Sequence, residues 1–276
     1  MPSLHGARVA LLESRLSHEL GELVRRLGGT PVLAPSVREV PRVEETDRFV
    51  DALVTARFSV VVALTGAAAL AVLRAAERRL RLPEALDALR HATLVARGPK
   101  PTAVLRRYGL DVQVLPQKPY TTKELLDAID RGVEVAGREV ALVHYGERNM
   151  SMSAALRDRG AVLTDVCPYE WSLPEDTAPL RALVRNLSTS VDAIAFTSKI
   201  QVRHLFAVAG DLGLADEVRT ALNGDIIVAS VGPVCADTLK QAGVTPDVQP
   251  ADPKMGPLLT ALADYIELTR DAPDER

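Results

Sequence analysis

The strongest constraint on this chain is that it repeats itself. Val9-Ala10-Leu11-Leu12 matches Val140-Ala141-Leu142-Val143, and Leu27-Gly28-Gly29 matches Asp158-Arg159-Gly160, both at an offset of 131 residues. Val61 to Leu64, followed by Thr65-Gly66, matches Ala193 to Phe196, followed by Thr197-Ser198, at an offset of 132. Arg97-Gly98-Pro99 with Leu105 and Gly109 matches Val231-Gly232-Pro233 with Leu239 and Gly243 at 134, and Pro116 and Leu125 meet Pro250 and Leu259 at the same spacing. Blocks that keep their order while the offset grows slowly are the trace of an internal duplication adjusted only by loop insertions.

Within each copy the hydrophobic period alternates. Val9 to Leu12 is an aliphatic run suited to a buried strand, and Ser17 to Leu27 sets Leu20, Leu23, Val24 and Leu27 at helical spacing before Gly28-Gly29 stops it. Strand, helix, strand, helix predicts an α/β fold built on doubly wound parallel sheets. With 47% hydrophobic but only 4% aromatic residues, the cores must be Val, Leu, Ala and Ile, as in sheets covered by helices on both faces. The 276 residues exceed one ordinary domain of roughly 100 to 150 residues, so two similar domains are expected. Two proline-flanked segments with β-formers, Pro31 to Pro41 and Val162 to Pro174, occupy corresponding places and suit a two-stranded β-ladder joining the domains. With such a ladder the chain would cross twice, residues 1–35 with 173–276 forming one discontinuous domain and 42–165 the other, with 36–41 and 166–172 as linkers. Pattern alone leaves the opening strand–helix unit assignable to either half.

A formal charge of −3 lacks the basic footprint of a nucleic-acid binder, although a locally basic cleft is compatible with it. Cys167 and Cys235 make no disulfide framework, and the N-terminus does not resemble a signal peptide. The longest apolar stretch, Val60 to Leu73, is broken by Thr65-Gly66 and too short to span a bilayer. No G-x-G-x-x-G or P-loop follows a strand, no G-x-S-x-G elbow occurs, and His5, His18, His91, His144 and His204 lack ligand spacing. The expectation is a cytoplasmic monomer that uses neither metal nor cofactor and acts on a small molecule, with no nucleic-acid or membrane partner.

Several short motifs in a fixed order carry a resemblance. Ser14-Arg15 follows a strand, Thr197-Ser198 follows Ile194-Ala195-Phe196, and Ser230-Val231-Gly232-Pro233 opens a helix with Leu239 and Gly243. Gly146-Glu147-Arg148 precedes a helix ending at Arg159-Gly160, and Tyr169 closes Cys167-Pro168-Tyr169. From about Arg8 to Ile266 the chain resembles the uroporphyrinogen-III synthases. The resemblance implies two α/β domains joined by a β-ladder, a substrate cleft between them and no cofactor. It also implies the reaction: hydroxymethylbilane loses water and cyclises to uroporphyrinogen III with inversion of its last pyrrole ring. It further implies that the opening strand–helix unit joins the C-terminal half. Leu94-Val95-Ala96-Arg97-Gly98 and Phe196-Thr197-Ser198 are similar to a bacterial branch, some members of which are fused to a winged helix. Such a module is not expected here, since the sequence stops at Arg276.

A linear tetrapyrrole carries an acetate and a propionate on every ring, so its enzyme needs anion sites spread over a wide surface. Helix N-termini supply them through unpaired N–H groups and a positive dipole end. Gly98-Pro99 and Gly232-Pro233 sit at strand-to-helix turns, where Pro suits the first helical turn and Gly allows close backbone approach. Thr65-Gly66 and Thr197-Ser198 open helices similarly, their hydroxyls available for capping or for substrate. In open α/β sheets these turns fall where ligands bind, beyond the carboxyl ends of the strands. The substrate-binding candidates are Arg15, Thr65, Gly66, Gly98, Lys100, Thr102, Gly146, Arg148, Thr197, Ser198, Lys199, Ser230, Gly232 and Cys235. For each, a purely structural or solvated role is the alternative. The resemblance makes Tyr169 the catalytic candidate, a phenol that assists departure of the substrate hydroxyl; packing beside Trp171 is its other role. Two positions depart from the family pattern: Gly66 replaces a frequent serine, and Val234-Cys235-Ala236 replaces a threonine-bearing helix start. These departures motivate two alternatives, a non-catalytic tetrapyrrole-binding or regulatory homologue and a homologue recruited to dehydrate another small molecule.

Overall fold

The computed structural model describes residues 2–55 and 58–271. The chain opens with β1 (Arg8–Leu11), α1 (Ser17–Arg26) and β2 (Thr30–Leu33). It continues through β3 (Arg38–Pro41), α2 (Val43–Thr55), β4 (Val60–Ala63), α3 (Gly66–Arg78), α4 (Leu82–His91), β5 (Thr93–Ala96), α5 (Pro99–Arg107) and α6 (Thr122–Gly132). The second copy restates the opening as β6 (Glu139–Val143), α7 (Met150–Asp158) and β7 (Val162–Val166). It finishes with β8 (Tyr169–Ser172), α8 (Ala178–Arg185), α9 (Leu187–Ser190), β9 (Ala193–Phe196), α10 (Lys199–Asp211), α11 (Ala215–Leu222), β10 (Ile227–Ser230), α12 (Pro233–Gln241) and α13 (Met255–Asp271).

The chain divides into two compact units: unit 1 is Met1–Arg38 with Ser172–Arg276, and unit 2 is Glu39–Trp171. Unit 1 holds a parallel sheet of order β10-β9-β1-β2 and unit 2 one of order β5-β4-β6-β7. Under the duplication these are the same order, with the first βαβ of each copy completing the sheet begun by the other copy. β3 pairs with β8 as a separate two-stranded sheet. The proline-flanked segments therefore each split: β2 and β7 belong to the parallel sheets, and only β3 and β8 form the ladder.

Alternation along the strands buries both faces of each sheet, which is what a doubly wound sheet requires. In unit 1, Ala10, Leu12, Ile194, Phe196 and Val228 face residues of α8, α10, α11 and α12, while Val9, Leu11, Ala193, Ala195 and Ala229 face α1 and α13. In unit 2, Val61, Ala63, Leu94, Ala141 and Val143 meet α2, α3 and α4, while Val60, Val62, Val95, Val140 and Leu142 meet α6 and α7. Each Val, Leu, Ile or Phe among them contributes roughly 1.5–3 kcal/mol of burial free energy, and each Ala about 1 kcal/mol or less. No helix among the described residues is long and apolar enough to cross a membrane.

Strand register corrects the alignment of the copies. Val9 pairs with Pro31 and Ala193, and its equivalent Val140 pairs with Leu163 and Val60. Pro31 thus corresponds to Leu163 and Val60 to Ala193, so each connection adds a single residue between the 131 and 134 offsets. The counterpart of Gly160 is Gly28 and not Gly29: both are left-handed, at φ 81° and 76°. Each closes a Schellman turn: Gly28 N–H donates to Arg25 at 2.9 Å and Gly29 N–H to Val24 at 2.9 Å, as Gly160 does to Arg157 at 2.8 Å and Ala161 to Leu156 at 3.1 Å. Likewise Thr65 corresponds to Ser198, not to Thr197: the two are the N-caps of α3 and α10. Aliphatic runs look alike when slid by one residue, whereas hydrogen-bond register does not slide.

Two glycines separate conformational need from mere presence. Gly160→Ala places a Cβ at positive φ and is expected to cost about 1–2 kcal/mol. Gly210→Ala lies inside α10 with open space around the new Cβ and is expected to gain about 0.5–1 kcal/mol. Urea denaturation midpoints measure both, and equal shifts of the same sign would refute the assignment of the turn.

Candidate functional site

In unit 2 the strands end in a rim of helix starts. Thr65 caps α3 from an extended backbone, its Oγ1 accepting the Ala68 N–H at 3.2 Å. Gly98 caps α5 with Pro99 next, and its carbonyl accepts the Thr102 hydroxyl at 2.9 Å. Thr102 is buried, so that hydroxyl is engaged inside the turn. Asn149 caps α7, accepting the Met152 N–H at 3.1 Å and donating to the Thr122 hydroxyl at 2.9 Å. A Cβ on Gly66 would lie 2.8 Å from the Lys100 carbonyl oxygen: α3 and α5 touch at their first turns, which is why glycine stands where serine was expected. The Lys100 residue itself is exposed.

Gly146, at φ 61°, lies directly under the Trp171 indole, where a Cβ would sit 2.1 Å from the ring. Next to it Tyr145 meets Trp171 edge-on at 5.6 Å between ring centroids. Arg97, just beyond β5, lies 4.4 Å above the Tyr145 ring centroid, and its Nη1 donates to the Tyr145 hydroxyl at 3.0 Å. Tyr169, on β8, is 7% exposed and packs in the core with residues of α2, α3 and β6.

A charged network ties α2 and β7 to the loop after β6. Arg148 pairs with Glu45 at 2.5 Å and also with Asp165, so its guanidinium is already held by two carboxylates. Burial opposes ionisation of Glu45, but the Cys167 N–H at 2.9 Å, Arg148 and Arg42 outweigh it and keep the carboxyl below its usual range. His144 is wholly buried, accepts the Asn149 N–H on Nδ1 at 3.0 Å and lies 3.9 Å from Asp165 through Nε2. Its proton therefore sits on Nε2. Burial holds its pKa below 6.5, with Arg148 acting in the same direction and Asp165 against it.

In unit 1 the equivalent rim is acidic at its centre. Glu13, the counterpart of His144, accepts from the Thr197 hydroxyl at 2.8 Å and from the Gln201 amide at 3.2 Å, while Gln201 accepts the Thr197 N–H at 2.7 Å. The Thr197 side chain thus points to a protein carboxylate. Ser198 and Gly232 are the N-caps of α10 and α12, neither with a side-chain cap bond. Lys199 is half-buried in the first turn of α10, and Arg15 is exposed with its N–H on Glu13 at 3.3 Å. Ser230 is wholly buried and its Oγ has no hydrogen-bond partner among the described residues. Cys235 is 3% exposed within the core, its thiol against the Phe196 carbonyl at 3.8 Å.

Neither cysteine is poised as a nucleophile. Burial pushes the Cys235 thiol up to about 12 and Cys167 up to about 11, so both stay protonated and unreactive. Among the described residues no group of His, Cys, Asp and Glu is arranged to hold a metal. Backbone N–H groups at the starts of α3, α5, α10 and α12 suit anions. Sequence reading missed Glu13, Gln201, His144, Arg97, Tyr145 and Trp171. The signal for two of them was present: Glu13 and His144 occupy the same place at the ends of the two matched central strands.

Fold and rims together define a duplicated α/β protein that presents matched helix N-termini at the carboxyl ends of two parallel sheets. The family model described as uroporphyrinogen-III synthase HemD matches residues 18–260, and the chain belongs to that family. A mutant uroporphyrinogen III synthase from the extremely thermophilic bacterium Thermus thermophilus superposes with a TM-score of 0.77 at 27% identity, covering 95% of this chain and 100% of that one. Uroporphyrinogen-III synthetase from Helicobacter pylori 26695, at 14% identity and a TM-score of 0.54, covers 95% and 99% of the two chains and shares the fold. The uncharacterized protein YjjA of Bacillus subtilis strain 168 is 29% identical over 265 residues, 96% of this chain and 97% of its own.

The buried network makes stability pH-dependent. Unfolded, His144 takes a proton near pH 6.5, whereas folded it resists protonation, so its stabilisation is complete above that value and is lost as pH falls toward its lowered folded pKa. Glu45 adds a loss at still lower pH, below the usual 4.5. Urea midpoints are expected to fall from pH 7 to pH 5 in the parent protein and less steeply in His144→Gln; identical slopes would rule out His144 as the source. Gly66→Ser is expected to cost about 1–3 kcal/mol through overpacking, measured in the same denaturation series.

Proposed function

We propose that this protein dehydrates and cyclises hydroxymethylbilane to uroporphyrinogen III, inverting the last pyrrole ring. The observation that carries the reading is that each unit carries its own set of helix N-termini at matched positions, Thr65 and Gly98 in unit 2 and Ser198 and Gly232 in unit 1, on a family-member scaffold. Backbone donors neutralise a polycarboxylate without a basic protein, in keeping with a net charge of −3. In this reading the substrate carboxylates are shared between the two rims, in the cleft expected of the family. Pyrrole nitrogen electrons expel the hydroxyl, and the protein's work is to hold the chain bent and exclude water until the ring closes. Tyr169 is the proposed donor to the departing hydroxyl. The protein acts as a cytoplasmic monomer, without cofactor or nucleic acid.

A second reading, a non-catalytic tetrapyrrole binder, is favoured by one observation: Thr197 and Gln201, donors on the unit 1 rim, are spent on Glu13. One assay separates the two. Hydroxymethylbilane is supplied and the product isomers are resolved; type III is expected, whereas type I alone, the spontaneous product, would remove the synthase reading in favour of binding. Tyr169→Phe is expected to lower kcat about tenfold or more with KM little changed, and unchanged kcat would remove the role given to the phenol.

A further inference from the structure

Arg97 is the odd cation of unit 2. Arg79, Arg81 and Arg159, the other half-buried arginines described there, each meet a carboxylate, at 2.8, 3.5 and 2.6 Å. Among the described residues Arg97 meets none: its guanidinium rests on the Tyr145 ring and bonds only the Tyr145 hydroxyl by side chain. Its backbone is fixed by an N–H bond to the Ala63 carbonyl at 3.1 Å, which sets the side chain at the strand ends beside the Gly98 turn. A half-buried cation without a counter-ion has lost water and gained no charge partner, so it has most to gain from an arriving anion. The duplication gives an internal control. The matched position in unit 1 is Val231, so the fold at this turn does not need an arginine.

The neighbours define what kind of anion fits. Tyr145 and Trp171 stand edge to face, and the indole lies over Gly146, whose missing side chain leaves it room. Trp171 is half-buried. A flat heterocycle bearing a carboxylate would place its ring against aromatic carbon and its charge on the guanidinium fork. We propose that Arg97, held on Tyr145 and bordered by Trp171, is a binding side chain that takes one pyrrole carboxylate of the substrate. The identity of the ring as a pyrrole rests on the synthase reading; the aromatic carboxylate class does not.

Trp171 is the sole tryptophan of the chain, so its emission reports occupancy directly. Porphobilinogen, a single pyrrole with one acetate and one propionate, is titrated into the full-length protein, with its carboxyl-esterified form as control. A saturable change in Trp171 emission is expected with the acid and not with the ester. Arg97→Val, which installs the residue of the other copy, is expected to raise the apparent Kd about tenfold or more and to raise KM for hydroxymethylbilane similarly while kcat stays within about twofold. Tyr145→Phe keeps the stack, loses one hydrogen bond and is expected to change KM about two- to threefold. If the parent protein forms type III product and Arg97→Val leaves KM and the titration unchanged, the inference is overturned and the synthase reading survives. If the parent yields only type I but the titration saturates and depends on Arg97, the inference stands and the synthase reading falls. No saturable response in the parent overturns the subsite outright.

Discussion

Parallel pairing between strands far apart in sequence is the interaction on which the rest of this structure depends. β1 lies between β2 and β9, and the join is fixed at its start by Arg8 and Asp192, 184 residues apart. The Arg8 N–H donates to the Asp192 carboxylate at 2.7 Å, the guanidinium returns to it at 2.7 Å, and the Asp192 N–H donates to the Arg8 carbonyl at 2.9 Å. Unit 2 makes the matching contact with backbone alone, Ser59 N–H to the Glu139 carbonyl at 2.9 Å. Because register is set at the amino ends, the carboxyl ends finish level, and the helix starts beyond them form a rim. The exposed Arg8–Asp192 pair adds little stability by itself; its geometry is what matters.

Duplication gave both units the same rim, and substitution then made the rims chemically distinct. Just beyond the matched strands β1 and β6 stands Glu13 in one unit and a buried neutral His144 in the other. The next is Ser14, whose Oγ is buried without a hydrogen-bond partner among the described residues, against Tyr145 in its aromatic stack. At the glycine turn Val231 faces Arg97 in the alignment. The two units therefore share a scaffold while differing at these strand ends, and a fold shared in this way does not by itself fix a function.

The fold was legible because aliphatic strands, amphipathic helices and their glycine stops leave periodic traces that recur at matched places. The finer register was not, since Val60-Val61-Val62 reads equally well against Ala193 or Ile194 until hydrogen bonds choose. Within the candidate site, Gly98 and Gly232 were legible as turn residues, whereas the need for Gly66 depends on how closely α3 meets α5. Arg148 looked like a free cation because its partners Glu45 and Asp165 come from distant elements. The Arg97, Tyr145 and Trp171 group was invisible for the same reason: these residues share no spacing, and come from the ends of two strands separated by β4 and from β8 of another sheet.

The double crossing of the chain has a consequence for how the protein comes off the ribosome. Residues 39–171 of unit 2 are continuous, so that unit has all its strands as soon as Trp171 emerges. β1, α1 and β2 emerge earliest yet lack their sheet partner until β9 has been translated. Until β9 is made the nascent chain therefore carries an unpaired β1 edge, with the aliphatic Val9 and Leu11 awaiting a surface that does not yet exist. Of the two parallel sheets, the one whose strands are begun earlier is the one completed later.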